Sequence, residues 1–130
     1  MNSDLQMERA INFITYSQHG DLKCVKHLVE KGVNIHHGDD RALRWACQNG
    51  HLEVVKYLVE HGADIHARFN GSLFNAACNG KMEVVKYLVE KGAYIRAKDD
   101  YILKGCYERN SLEALNYLKN RLLREKLEET

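Results

Sequence analysis

Apolar positions recur along this chain on two periods at once. Within "HLEVVKYLVEHG", Leu52, Val55, Leu58 and Val59 stand at i, i+3, i+6 and i+7, with Glu53, Lys56 and Glu60 opposite them, which predicts an amphipathic helix. Gly62 follows the last apolar position and predicts a left-handed stop. Upstream, "RALRWACQN" predicts a shorter helix with Asp40 as its N-cap. Asn70 and Asp100 hold the same place further on, and all three side chains are suited to accept a free backbone N–H. Asn49-Gly50 and Asn79-Gly80 predict the tight turn between the two helices, where a positive φ costs little.

The longer period is thirty residues: "NGHLEVVKYLVEHGADIHARF" begins at Asn49 and "NGKMEVVKYLVEKGAYIRAKD" at Asn79. Gly20, Gly50 and Gly80 share a column with Asn110, Leu28, Leu58, Leu88 and Leu118 form another, and Gly32, Gly62 and Gly92 a third. Self-similarity of this kind marks a stacked array. Four rows result, at about 1–39, 40–69, 70–99 and 100–130, in one domain. One such hairpin cannot bury both faces of its helices, so the rows must stack into a continuous core. Ala46, Cys47, Ala76 and Ala77 are small enough to let neighbours approach. A helix bundle with chance duplication would not require glycine at the same two places in three rows.

The ends should carry polar outer faces. "SDLQ" from Ser3 is a capping-box pattern that starts the first helix, with Leu5, Ile11, Phe13 and Ile14 expected inward. At the other end Leu122 stands where the stop glycine would be, so the last helix is expected to run on through "NRLLREKLEE". There Leu112, Leu115, Leu118 and Leu122 should face the stack.

At these residues the sequence resembles the ankyrin repeat family, whose pattern "LRWACQNGHLEVVKYLVEHGADIHA" follows closely. The match covers rows two and three almost throughout and rows one and four more loosely. The family repeats about every 33 residues and opens its first helix with Thr-Pro-Leu-His. This chain contains no proline and its period is shorter. The missing residues fall in the loop between rows, so its finger should be stunted. The resemblance implies an all-α solenoid of four stacked helix-turn-helix repeats with shortened fingers, a protein-binding role and no enzymatic activity. It also makes His51, in the family's Gly-His position, structural. The thirty-residue rows look like the ankyrin arrays of giant DNA viruses of the mimivirus type.

Charge and chemistry narrow the function further. A net charge of +1 provides no global field toward nucleic acid or an anionic membrane. No stretch approaches the roughly 18 apolar residues of a membrane span, and "MNSDLQMERA" lacks a secretory core, so an intracellular protein is expected. Cys24, Cys47, Cys78 and Cys106 lack any C-x-x-C spacing and are read as reduced, with no metal site. His36, His66 and Arg96 share a column, but rows lie roughly 10 Å apart, too far to share a metal; loop hydrogen bonding is expected. Lys26, Lys56 and Lys86 would make a phosphate track were Glu30, Glu60 and Glu90 not one turn away to neutralise them. No phosphate loop, nucleophile motif or His-Glu-x-x-His occurs, so neither catalytic residues nor cofactors are expected.

What remains is a surface. On the first helix of row two, Leu43 and Ala46 should point into the stack, which leaves Arg41, Trp45, Gln48 and Asn49 on the opposite face. The following rows add Asn75 and Cys78, then Tyr101, Gly105 and Glu108, and the loop tips add Arg68, Phe69, Lys98 and Asp99. Since the family binds along its inner helices and loop tips, the resemblance makes these the partner-binding residues of a monomeric scaffold for another protein. The competing classes are a self-associating array element and a nucleic-acid or small-ligand binder. Trp45 has two readings, an interface anchor or a side chain packed between hairpins.

Overall fold

A computed structural model describes residues 3–129. Among them run eight α-helices and no strand, arranged as four hairpins. These are α1 (Ser3–His19) with α2 (Leu22–Glu30), α3 (His37–Gln48) with α4 (Leu52–Glu60), α5 (Ala67–Cys78) with α6 (Met82–Glu90), and α7 (Ala97–Glu108) with α8 (Leu112–Glu128). The odd-numbered helices pack flank to flank as one layer, and the even-numbered ones form a looser second layer behind them. This is the stacked helical solenoid that the thirty-residue period predicts.

The tighter layer follows from side-chain size. Ala46, Cys47, Ala76 and Ala77 are wholly buried between successive odd helices, where longer side chains would hold the backbones apart. Leu43, Leu58, Leu73, Leu88, Ile102 and Leu118 fill the space between layers. The buried arc of α4 is wider than the apolar stripe predicts: Val54 is as buried as Val55, while Leu52 and Val59 are only partly covered. The cause is that α4 is covered by α3 and by the neighbouring second-layer helices α2 and α6.

Both glycine columns end helices in the same way. After α4, Gly62 N–H donates to Val59 O at 3.1 Å and Ala63 N–H to Leu58 O at 2.9 Å, with Gly62 at φ 97°, the paired bonds of a Schellman cap. After α3, Gly50 N–H donates to Cys47 O and His51 N–H to Ala46 O, the same motif compressed into the hairpin turn. His51 then lies against the turn of the row before, where a Cβ on Gly20 would meet its ring at 2.5 Å. Its role is structural, as the resemblance implied.

The loops between rows correct one expectation. Asp40, Asn70 and Asp100 do precede the right-handed turns of α3, α5 and α7, yet none caps its helix through its side chain. Each instead closes a left-handed triplet: residues 38–40, 68–70 and 98–100 all have φ between 48° and 67°. L-residues rarely string this conformation together, at about 1–2 kcal/mol each. The triplet turns the Asp40 side chain toward the loop after α4, where Oδ2 accepts from Asp64 N–H at 2.8 Å. Asn70 repeats the link, accepting from Tyr94 N–H at 2.9 Å. His36 and His66 hold these acceptors in place through Nδ1 at 3.0 Å, and Arg96 grips Asp100 with two bonds at 2.8 and 2.9 Å. The histidine column therefore serves loop hydrogen bonding, as expected.

The end helices also depart in part. Phe13 and Ile14 are buried, but Leu5 is 43% and Ile11 55% exposed. They lie on the flank of α1 turned away from α2 and α3. Leu115 and Leu118 face the stack, whereas Leu112, in the first turn of α8, is 50% exposed and Ala114 takes the buried place instead. The helix does continue past Leu122, to Glu128.

Two substitutions separate the linking bond from the strain that aims it. Asp40→Ala removes the acceptor for Asp64 N–H and should cost about 2–3 kcal/mol in urea unfolding; an unchanged midpoint would contradict the link. Asp99→Gly, at an exposed position with φ 57°, should instead stabilise by up to about 1 kcal/mol by relieving the left-handed strain.

Candidate partner-binding surface

The exposed residues of α3 and α7 and of the three left-handed turns make up one strip, to which α5 beyond its turn adds only half-buried Phe74 and Asn75. At its row-two end Arg41 is exposed, with its guanidinium 5.7 Å from the Trp45 ring centroid. Trp45 itself is half-buried and packs against the core. Gln48 and Asn49 are exposed, and Asn49 Nδ2 donates 3.0 Å to Gln18 O, tying the turn to the row before. Leu43 and Ala46 point into the stack as expected.

Arg44, which sequence reasoning passed over, lies at the centre of the strip. Its Nε and Nη2 donate to the carbonyls of Asp39 and Gly38, at 3.0 and 2.9 Å, and so brace the left-handed turn. Its pKa is lowered, first by burial and then by repulsion from Arg68 and Arg41, so three guanidinium groups crowd one place. Arg68 has one carboxylate near it, Asp39 at 3.7 Å, with both side chains largely exposed. Such a pair contributes little. Arg44 could have been found from its place four residues after Asp40, but an arginine in mid-helix carries no signal of its own.

The row-three and row-four turns meet in a shallow cavity of about 340 Å³ lined by Arg68, Phe69, Lys98, Asp99, Tyr101 and Lys104. Five of these six are residues that helix spacing and loop position had marked. Phe69 is 61% exposed at φ 57°, and Lys98 Nζ lies 4.3 Å from its ring centroid. Tyr101 holds the floor: its hydroxyl donates to Phe69 O at 2.6 Å and its ring stacks on Phe74 at 4.7 Å. A bulky side chain in the left-handed region is strained, and that carbonyl bond is one of the contacts that keeps it there.

Three of the marked residues are set differently from the rest. Cys78 is only 5% exposed and lies against Cys106, so the surface assigned to it belongs to its neighbours; α7 packs over it, with Gly105 so close that a Cβ there would meet Sγ at 2.8 Å. Asn75 is half-buried and donates to Arg44 O at 3.3 Å, a row-to-row link. Glu108 is exposed at the far end of α7, near Cys78 rather than the cavity.

The opposite layer differs in chemistry. Lys26 and Lys86 do not pair with Glu30 and Glu90; their ammonium groups lie 5.7 and 5.8 Å from the rings of Tyr57 and Tyr117 in neighbouring rows. The expected neutralisation by glutamate one turn away is replaced by cation–π contact, because the tyrosine column of the next row is within reach. Among the described residues no group of three or more His, Cys, Asp or Glu is disposed to hold a metal, and no helix is long and apolar enough to cross a membrane.

A family model described as ankyrin repeats, in three copies, matches residues 13–99. Comparison with curated proteins gave no match.

Two measurements test this geometry. Trp45→Ala should cost about 2–3 kcal/mol of stability, since the ring packs on the core; a loss below about 0.5 kcal/mol would place it on the surface instead. Burial pushes the Cys47 thiol up to about 12. Alkylation at mildly alkaline pH, read site by site by mass spectrometry, should therefore modify half-exposed Cys24 in the folded protein and reach Cys47 only in denaturant.

Proposed function

Because the chain belongs to the ankyrin repeat family, a family of non-enzymatic protein-interaction modules, we propose that it is a monomeric scaffold that binds one protein partner along the α3–α5–α7 face and the loop tips. The observation that carries this reading is the cavity between the row-three and row-four turns, where Phe69 stands exposed on a floor fixed by Tyr101. Exposed aromatic and arginine side chains on a rigid backbone are the usual anchors of a protein interface. Arg41, Arg68 and Lys98 surround that anchor, and Gln48, Asn49 and Glu108 extend the same layer.

Trp45 contributes as packing beneath Arg41 rather than as a free anchor. No cofactor or metal enters this function. The net charge and the cation–π engagement of Lys26 and Lys86 favour a protein partner over nucleic acid. An intracellular setting, in the cytoplasm of an infected cell if the short-period likeness to giant-virus arrays reflects descent, fits the four reduced cysteines.

The test is affinity capture with three baits: the full chain, Phe69→Ala, and Lys56→Ala on the opposite layer. One set of proteins should be retained by the full chain and Lys56→Ala and lost, by roughly tenfold or more, with Phe69→Ala. Equal retention by all three would refute the assignment of this face. Sedimentation across concentration should show a monomer; a reversible dimer lost with Phe69→Ala would favour self-association.

A further inference from the structure

The strip holds more positive charge than its own carboxylates can balance. Arg41, Arg44, Arg68, Lys98 and Lys104 lie along it, against Asp39 and Asp99, with Glu108 apart at the far end of α7 near Cys78. Asp40 and Asp100, which share the turns, are already committed, to His36 and the Asp64 amide in one case and to Arg96 in the other. The chain as a whole is nearly neutral, so this concentration is local. Arg44 is pinned by two backbone carbonyls and cannot swing away from Arg41 and Arg68. Arg44 therefore stays beside the exposed Arg41 and Arg68, and an anionic ligand on the strip would meet all three guanidinium groups.

Deepening the proposed function, on which it rests, we infer that the partner presents an acidic peptide segment, carboxylates flanking an apolar side chain, along the strip from Arg41 to Lys104. Two features select a peptide among anions. Phe69 and the Tyr101 floor lie among the cations and give an apolar side chain a place to bind. Asp39 and Asp99 interrupt the cations, so a phosphate backbone of unbroken charge would be repelled at two points, whereas a peptide can place a neutral residue opposite each. Arginine suits the role as well, because its planar fork meets a carboxylate with two parallel bonds. Complementary charge of this kind acts mainly on association rate and partner choice, and weakens with salt.

The test pans a random-peptide display library on the full-length protein and on Arg41→Glu/Arg68→Glu/Lys98→Glu, three exposed side chains whose reversal should leave the melting curve intact. Peptides selected by the native chain should be enriched in Asp and Glu around a Leu or Phe. Synthetic copies should bind roughly tenfold or more weakly to the reversed variant and lose affinity as salt rises. A milder variant, Arg68→Gln/Lys98→Gln, guards against misfolding of the triple change and should show a smaller loss in the same direction. Selected peptides that are neutral or basic yet still lost with Phe69→Ala would overturn the acidic-partner inference while leaving the scaffold function standing. Failure to select any peptide sensitive to Phe69→Ala would overturn both. A labelled single-stranded oligonucleotide is the control: tighter binding of it than of any acidic peptide, abolished by the same reversal, would refute the inference in favour of nucleic acid.

Discussion

Asp40 and Asn70 each turn a side-chain oxygen away from their own helix and toward a backbone N–H in the loop that leads on to the following row. Everything else in the array is arranged around that bond. Van der Waals contact between alanine-lined helices fixes how close two rows can come, but not their register. A hydrogen bond of 2.8 or 2.9 Å from a part-buried oxygen to a particular amide fixes how each inter-row loop sits on the next, since slippage would leave both groups unpaired. His36 and His66 contribute by holding the acceptor in one orientation, so the direction of the link is set before the loops meet.

The link explains the left-handed turns. To aim Asp40 or Asn70 across the gap within a loop this short, the chain reverses its hand for three residues and resumes a right-handed helix directly afterwards. A longer finger would let the backbone wander back without that cost. The strained residue in the middle of each triplet, Asp39, Phe69 or Asp99, then has nowhere to point except outward. The same geometry that joins successive loops therefore pushes side chains onto the exposed strip, and Arg44 and Tyr101 act as braces on the turns that do it.

Much of this was legible in the sequence and some could not be. The two glycine columns, the small residues between helices and the inward leucines follow from spacing, because each is a local or periodic demand that repeats in every row. The Asx column was correctly located and wrongly employed. An Asp or Asn before a helix is normally its N-cap, and only the partner amide 24 positions on, which no local pattern contains, shows that the oxygen is used elsewhere. The surface was legible in its exposed members, Arg41, Arg68, Phe69 and Lys98. It failed at Cys78, because α7 closes over that position through Gly105, a contact between rows whose sequences have diverged. Leu5, Ile11 and Leu112 were read as inward because periodicity reports an apolar stripe but not how many neighbours are present to cover it.

The shortened loop also changes what kind of binding surface this can be. Long fingers reach further but lose conformational entropy when a partner orders them, roughly 0.5–1.5 kcal/mol for each immobilised side chain alone. Here the turn backbones are fixed in advance, by two bonds from Arg44 in one row and by the Tyr101 hydroxyl in the next. The cost of holding Phe69 in a left-handed conformation is met on folding rather than on binding. Strain that persists only because its surroundings over-determine it is characteristic of sites that are used. The row-one to row-two turn, with Gly38 in place of an arginine or lysine and no aromatic at its centre, is the least strained and the least decorated of the three. In the proposed complex the partner's apolar anchor would sit at the row-three and row-four turns, and the arginines of row two would set the direction in which the rest of its chain is drawn.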